Sequence, residues 1–268
     1  MVKLSKLRKL AAVLLLTVCL PVSAQYVTEK DIPYVPDDTS SYRQERCRLD
    51  VYCPKEKSGF KTLIWFHGGG LEGGDKCIPE ELAEKGFAVV APNYRLFPRC
   101  RYPDYLDDAA DAVAWTLRHI SDYGGSPTEI YVGGHSAGGY LTLMLALDKD
   151  ILFRHGVDAD SLKGYYPVSG QTATHFTIRK ERGISFDLPV VDAAAPLNHA
   201  RFLKPRLVLF TGDRDLEMMA RYEENLYLKA VMEGVGNSEI PLYELKGFDH
   251  GTVVAPAALL IARELSGR

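Results

Sequence analysis

The chain has little of what would mark it for a specialised class. Low-complexity tracts and internal repeats are absent from its 268 residues, which excludes fibrous and solenoid architectures. The longest N-terminal apolar run, Leu10 to Leu20, is too short to cross a bilayer, where about 20 residues are needed. Neither sign of charge is in excess. With 32 basic and 35 acidic residues the formal charge is −3, so no nucleic acid and no anionic membrane is expected as the main partner. Cysteine is sparse, and no two copies have the two-residue spacing of common zinc sites, so no metal is expected. No Asn-X-Ser/Thr sequon occurs. A chain of this length still buries a core large enough to fold without cross-links.

What is present begins with Lys3, Lys6, Arg8 and Lys9, followed by the Leu10–Leu20 run and then Val22-Ser23-Ala24. A basic segment, a short apolar core and small residues at a cleavage point predict a signal peptide over residues 1–24, with Gln25 as the mature N-terminus. Cys19 does not convert this into a lipid anchor, because Val18 stands where such a cleavage site wants a small residue. Loss of the segment removes four basic residues and no acid, leaving 28 against 35 and a charge of −7. The expected location is secreted or periplasmic, with no stable membrane anchor. Four cysteines are left, Cys47, Cys53, Cys77 and Cys100, which permit two bridges in three pairings. Cys47 and Cys53 share one extended segment, where six residues at about 3.3 Å each place them too far apart to pair. Cys77–Cys100, both in loops, is the favoured bridge, with free buried thiols as the alternative.

Beyond the leader, strand-like runs alternate with helical patterns. Residues 43 to 53 alternate polar and apolar side chains, which predicts an early antiparallel strand. Leu63–Phe66, Phe87–Val90, Ile130–Val132 and Leu207–Phe210 are continuous apolar runs of the kind covered on both faces. Leu106, Ala110, Val113, Leu117 and Ile120 recur every three or four residues, the mark of an amphipathic helix. Further helices fit residues 136 to 147, 216 to 233 and 254 to 265. The expected fold class is therefore α/β, a mostly parallel doubly wound sheet flanked by helices, in a single domain over residues 25–268. Residues 170 to 192 break the rhythm with neither a strong strand nor a convincing helix, and are read as a short lid insertion over the active face, or as a surface excursion.

Four local features then fall in a chemically meaningful order. Gly134-His135-Ser136-Ala137-Gly138 follows an apolar strand and places a hydroxyl at a sharp strand-to-helix turn that needs small neighbours. His67-Gly68-Gly69-Gly70 follows the strand Leu63–Phe66, and glycine amides at such a point can receive a developing oxyanion. Gly69, Gly70 and Ala137 are the expected donors. Thr211-Gly212-Asp213-Arg214-Asp215 follows the strand Leu207–Phe210 and supplies a carboxylate to orient a histidine. Asp215 is preferred and Asp213 is kept as the alternative, since either could instead serve a turn or a helix cap. His250, in Gly247-Phe248-Asp249-His250-Gly251, is placed to act as the base. Asp249 is too near in sequence to orient it. His67 and His135 are expected to brace their loops, and His119, His155, His175 and His199 to be structural.

At these residues the chain resembles the α/β-hydrolase family, in its HGGG-bearing, hormone-sensitive-lipase-like esterase and lipase group. Asn93-Tyr94-Arg95-Leu96-Phe97-Pro98, then Tyr102-Pro103 and Asp107-Asp108, and Ala195-Pro196-Leu197 are similar to that group as well. The likeness runs from about residue 45 to 265. Two departures concern the substrate pockets: the long N-terminal cap of many such esterases is missing, and Gly251-Thr252 follows the histidine where glycine and phenylalanine are usual. The resemblance implies a serine carboxylic-ester hydrolase needing no cofactor, with Ser136, Asp215 and His250 as its triad. A chain without a large apolar cap favours short acyl esters. Export without a sequon points to a bacterial envelope enzyme acting on small-molecule or carbohydrate esters, acetylated or feruloylated, with Tyr165, Tyr166 and Gln171 lining the pocket; core packing is the alternative for the tyrosines. The rival readings are a secreted serine exopeptidase of the same fold and a non-catalytic hydrolase-like binding module, which predicts a damaged triad. The sequence leaves the oligomeric state open.

Overall fold

The computed structural model describes residues 26–267; the expected signal peptide and the proposed mature N-terminus at Gln25 lie outside them. Nine strands occur among these residues: β1 (Tyr26–Pro33), β2 (Arg48–Pro54), β3 (Phe60–Phe66), β4 (Ala88–Pro92), β5 (Gly125–His135), β6 (Gly164–Val168), β7 (Arg206–Leu207), β8 (Leu209–Gly212) and β9 (Leu242–Leu245). They form one sheet in the order β1-β2-β4-β3-β5-β6-β8-β9, with β7 beside β6. Pairing is antiparallel from β1 to β2 and from β2 to β4, and parallel from β4 through β9.

Among the described residues seven α-helices accompany the sheet: α1 (Ser41–Arg46), α2 (Asp104–His119), α3 (Ala137–Leu147), α4 (Lys149–Arg154), α5 (Phe176–Glu181), α6 (Arg221–Gly234) and α7 (Val254–Ser266). The side chains of β3 show why a continuous apolar run is required. Ile64 and Phe66 enter one buried cluster, with α2 and α3, while Leu63 and Trp65 enter the other, beneath α7. A strand sends successive residues to opposite faces, so a sheet covered on both sides needs apolar residues at every position. All of α3 is buried, apolar around its whole circumference, as a helix wedged between the sheet and other helices must be.

The predicted strands and helices are found, except that the run Leu207–Phe210 is broken at Val208 into β7 and β8, and with three further corrections. The segment 43 to 53 is not one strand: Ser40 caps α1 by accepting from the Arg43 N–H, and β2 begins only at Arg48. The helix expected from residue 216 begins at Arg221, because Asp213 to Ala220 form a turn with the N–H groups of Leu216 and Glu217 on the Asp213 carbonyl. Residues 170 to 192 are not without structure. They include α5, and Thr172, Thr174, His175, Thr177 and Ile178 are buried.

The Cys77–Cys100 bridge is not formed. All four described cysteines are free thiols; Cys100 is buried in the core while Cys77 is exposed. Burial raises the Cys47 and Cys100 thiols to about 12, so both stay protonated and inert. Among the described residues, no helix is long and apolar enough to cross a membrane.

Candidate active site

β5 runs straight into α3, and Ser136 lies at the junction with φ 56° and ψ −114°. A non-glycine residue holds this left-handed conformation only when its surroundings impose it. Here the Ser136 N–H donates to the Val168 carbonyl at 2.8 Å, tying the turn to the end of β6. A Cβ on Gly138 would stand 2.1 Å from the Phe66 carbonyl oxygen, so only glycine lets α3 start against the end of β3.

The imidazole of His250 lies across this turn. Its Nε2 is 2.8 Å from the Ser136 Oγ. Its Nδ1 is 2.5 Å from Glu217 Oε1. The expected acid, Asp215, does not occupy this position: its side chain is exposed, and its N–H donates to Asp213 Oδ1 at 3.2 Å. Asp213, the alternative, accepts from the Gly247 N–H at 2.9 Å and pairs with Lys246 at 3.0 Å. The physical reason is the turn that replaces the first part of the expected helix. It folds the chain back so that Glu217, beyond both aspartates, points under the end of β8, where its Oε2 accepts from the Gly212 N–H at 3.1 Å and the Ser169 hydroxyl at 2.5 Å. The Glu217 carboxylate is fully buried. Burial pushes its pKa up, but the hydrogen bonds from His250, Ser169 and Met218 outweigh this and hold it at about 2.

The loop of His250 is fastened at both sides. His135 Nε2 donates to the His250 carbonyl at 2.7 Å, and burial lowers the His135 pKa to about 4, which keeps it neutral and suited to this bracing role. Asp249 Oδ1 accepts from the N–H groups of Gly251 and Thr252 and from the Thr252 hydroxyl. Thr252, one of the two departures noted in the sequence, thus closes the loop by hydrogen bonding.

Gly69 and Gly70 have φ of 112° and 64°, a conformation open to glycine, and their loop lies against the elbow: a Cβ on Gly68 would be 3.3 Å from the Ser136 Cβ. Ala137 opens α3. Among the described residues the N–H groups of Gly69, Gly70 and Ala137 donate no hydrogen bond. The Gly70 carbonyl accepts from the Thr177 hydroxyl on α5. His67 stacks on Tyr94 with ring centroids 4.4 Å apart and donates from Nδ1 to the Gly68 carbonyl. Burial lowers it to about 4.

Residues 49–166 match the BD-FAE family model. Over that stretch, and in its sheet order, the chain is similar to hormone-sensitive-lipase-like α/β hydrolases. It is 29% identical over 231 residues to the "Probable isoprenylcysteine alpha-carbonyl methylesterase ICMEL1" of Oryza sativa subsp. japonica, covering 76% of this chain and 54% of that protein. It is 27% identical over 244 residues to Esterase LipQ of Mycobacterium tuberculosis, covering 82% of this chain and 56% of that one. The chain therefore spans about half the length of the curated relatives it matches. Among solved structures, a truncated carbohydrate esterase from gut microbiota superposes with a TM-score of 0.74 at 17% identity, covering 92% of this chain and 99% of that one; at that identity the likeness concerns the fold.

The sheet explains why two expected pocket residues are elsewhere. Tyr165 and Tyr166 are consecutive on β6 and so point to opposite faces of a sheet covered on both. Both are core: Tyr165 donates to the Ala159 carbonyl and Tyr166 to Glu264. Gln171 does line a pocket, of about 300 Å³, with Phe176, Phe186, Met218 and Arg221. That pocket adjoins the elbow, since the ring of Phe176 packs on Gly70 and Met218 follows Glu217. Among the described residues no three His, Cys, Asp or Glu side chains gather where a metal ion could be held.

Proposed function

We propose that the chain is a serine carboxylic-ester hydrolase for short acyl esters, with residues 25–268 as one catalytic unit. One observation carries the reading: the line from Glu217 through His250 to Ser136, with hydrogen-bonding distances of 2.5 and 2.8 Å. His250 takes the Ser136 proton as the oxygen attacks the ester carbonyl, and Glu217 stabilises the imidazolium that forms. The N–H groups of Gly69, Gly70 and Ala137 receive the oxyanion. His250 then protonates the leaving alcohol, and water activated by the same imidazole hydrolyses the acyl-enzyme. The reaction needs no cofactor. An intact serine–histidine–acid line is not what a non-catalytic binding module would retain.

Esters of sugars are the substrate class we favour, in keeping with the signal peptide expected over residues 1–24 and with the carbohydrate esterase among the structural neighbours. Ser136→Ala is expected to lower kcat for 4-nitrophenyl acetate by roughly 10³-fold or more, with the fold retained by circular dichroism. Wild-type turnover by the folded variant would rule the mechanism out.

A further inference from the structure

Two arginines sit where a charged side chain has no ordinary place. Arg179 on α5 and Arg221 at the start of α6 are 5% and 4% exposed, and both line the 300 Å³ pocket beside the elbow. Buried charges are as a rule paired, because an unmatched one is costly to remove from water. Among the described residues, neither arginine is within ion-pair distance of a carboxylate. Their hydrogen bonds go to carbonyl oxygens: Arg179 Nη1 donates to Phe186 at 2.8 Å and to Leu188, and Arg221 Nη1 to Ser169. The Nε of each is sealed in the interior without a partner. Among the described residues neither Nη2 makes a hydrogen bond, and neither is among the sealed atoms, in two side chains that both line the pocket.

The nearby carboxylates are committed elsewhere. Glu224 Oε2 accepts from the N–H groups of Thr172 and Ala173 at 2.9 and 3.4 Å. Glu217 serves His250, and Asp187 is exposed at the rim. Burial pulls the Arg221 pKa down, and Glu224 and Glu217 offset this only from a distance. The remaining walls are largely apolar, from Phe176, Phe186, Pro189 and Met218. The slot thus holds two guanidinium groups between apolar walls, and the carboxylates of Glu224 and Asp187, which also line it, form no ion pair with either arginine.

We infer that this slot binds a carboxylate carried by the ester substrate, so that the acidic group completes the two guanidiniums while its hydrocarbon frame lies on Phe176 and Phe186. The inference rests on the ester-hydrolase reading. It names the substrate class as acidic esters, with the acid on the acyl side, as in a dicarboxylate monoester, or on the alcohol side, as in an acylated uronic acid.

Two matched pairs separate these sources: 4-nitrophenyl hemisuccinate against 4-nitrophenyl butyrate, and acetylated methyl glucuronide against acetylated methyl glucoside. The wild-type protein is expected to favour the anionic member of one pair by roughly tenfold in kcat/KM, and Arg221→Gln or Arg179→Gln to bring that ratio toward one. Because a buried arginine can be needed for folding, calorimetric titration of the wild-type protein with glutarate and with glutaramide provides an independent reading. Glutarate is expected to bind roughly tenfold more tightly, with the difference shrinking as salt rises. Equal rates within both pairs together with equal binding of the two ligands would overturn the inference. Failure of the wild-type protein to hydrolyse even 4-nitrophenyl acetate would instead count against the ester-hydrolase reading, while the glutarate titration would still decide the pocket.

Discussion

Glu217 is the residue on which the site turns. Its carboxylate is fully buried, yet it is held ionised with a pKa of about 2 by hydrogen bonds from His250, Ser169 and Met218. A folded pKa below the ordinary value of 4.5 means that the protein binds its last proton here less readily than the unfolded chain does. The stabilisation is therefore complete above about pH 4.5 and is lost as pH falls through about 2. Comparing denaturation of wild type and Glu217→Gln across that range should show a stability gap that is largest above pH 4.5 and closes toward pH 2. In activity, Glu217→Gln is expected to reduce kcat by roughly 10³- to 10⁴-fold, whereas Asp215→Asn stays within about twofold. The reverse order would return the triad acid to Asp215. Ser136 and His250 were legible in the sequence because short glycine-bearing motifs after strands mark them. The acid was not, because Asp213 and Asp215 come first after β8 and only the turn reveals which carboxylate returns to the sheet. No local signal marks Glu217, since Leu216 and Met219 beside it are themselves exposed.

At the level of elements, the elbow depends on α3 starting in contact with β3. Gly138→Ala would drive a methyl group to 2.1 Å from the Phe66 carbonyl oxygen. We expect a loss of about 1–3 kcal/mol, seen as a lower melting temperature; an unchanged value would mean that the junction can open without cost. A second test concerns the seam between α2 and α4. His155 lies between Asp107 and Asp111 at 3.5 and 2.6 Å, and these partners raise its pKa to about 9. Because the folded value lies above the ordinary 6.5, the added stability is complete below about pH 6.5 and is lost as pH rises through about 9. The stability difference between wild type and His155→Gln should follow that course, and a gap independent of pH would contradict it. Residues 170 to 192 show where pattern reading stops. Thr172, Thr174 and Thr177 are buried through hydrogen bonds to Glu224, Asp192 and Gly70, so no apolar period announces their burial. α5 has six residues, too few for a helical repeat to emerge.

Across the whole molecule, alternation of apolar runs and amphipathic segments sufficed to predict a parallel sheet with helices on both faces, because such a sheet demands apolar residues at every central strand position. β1 escaped that logic. Its residues, Tyr-Val-Thr-Glu-Lys-Asp-Ile-Pro, are largely exposed, and it is held by its antiparallel ladder to β2, which leaves little trace in hydrophobicity. The same architecture brings Ser136, Glu217 and His250, distant in sequence, to the carboxyl ends of β5, β8 and β9, where open α/β sheets bind their ligands. Labelling with a fluorophosphonate, followed by peptide mapping, tests this convergence most directly. The account predicts one modified residue, Ser136, in the wild-type protein, with labelling abolished in Ser136→Ala and strongly slowed in a folded His250→Ala variant. Modification at another residue, or labelling of Ser136 at an undiminished rate without His250, would contradict it.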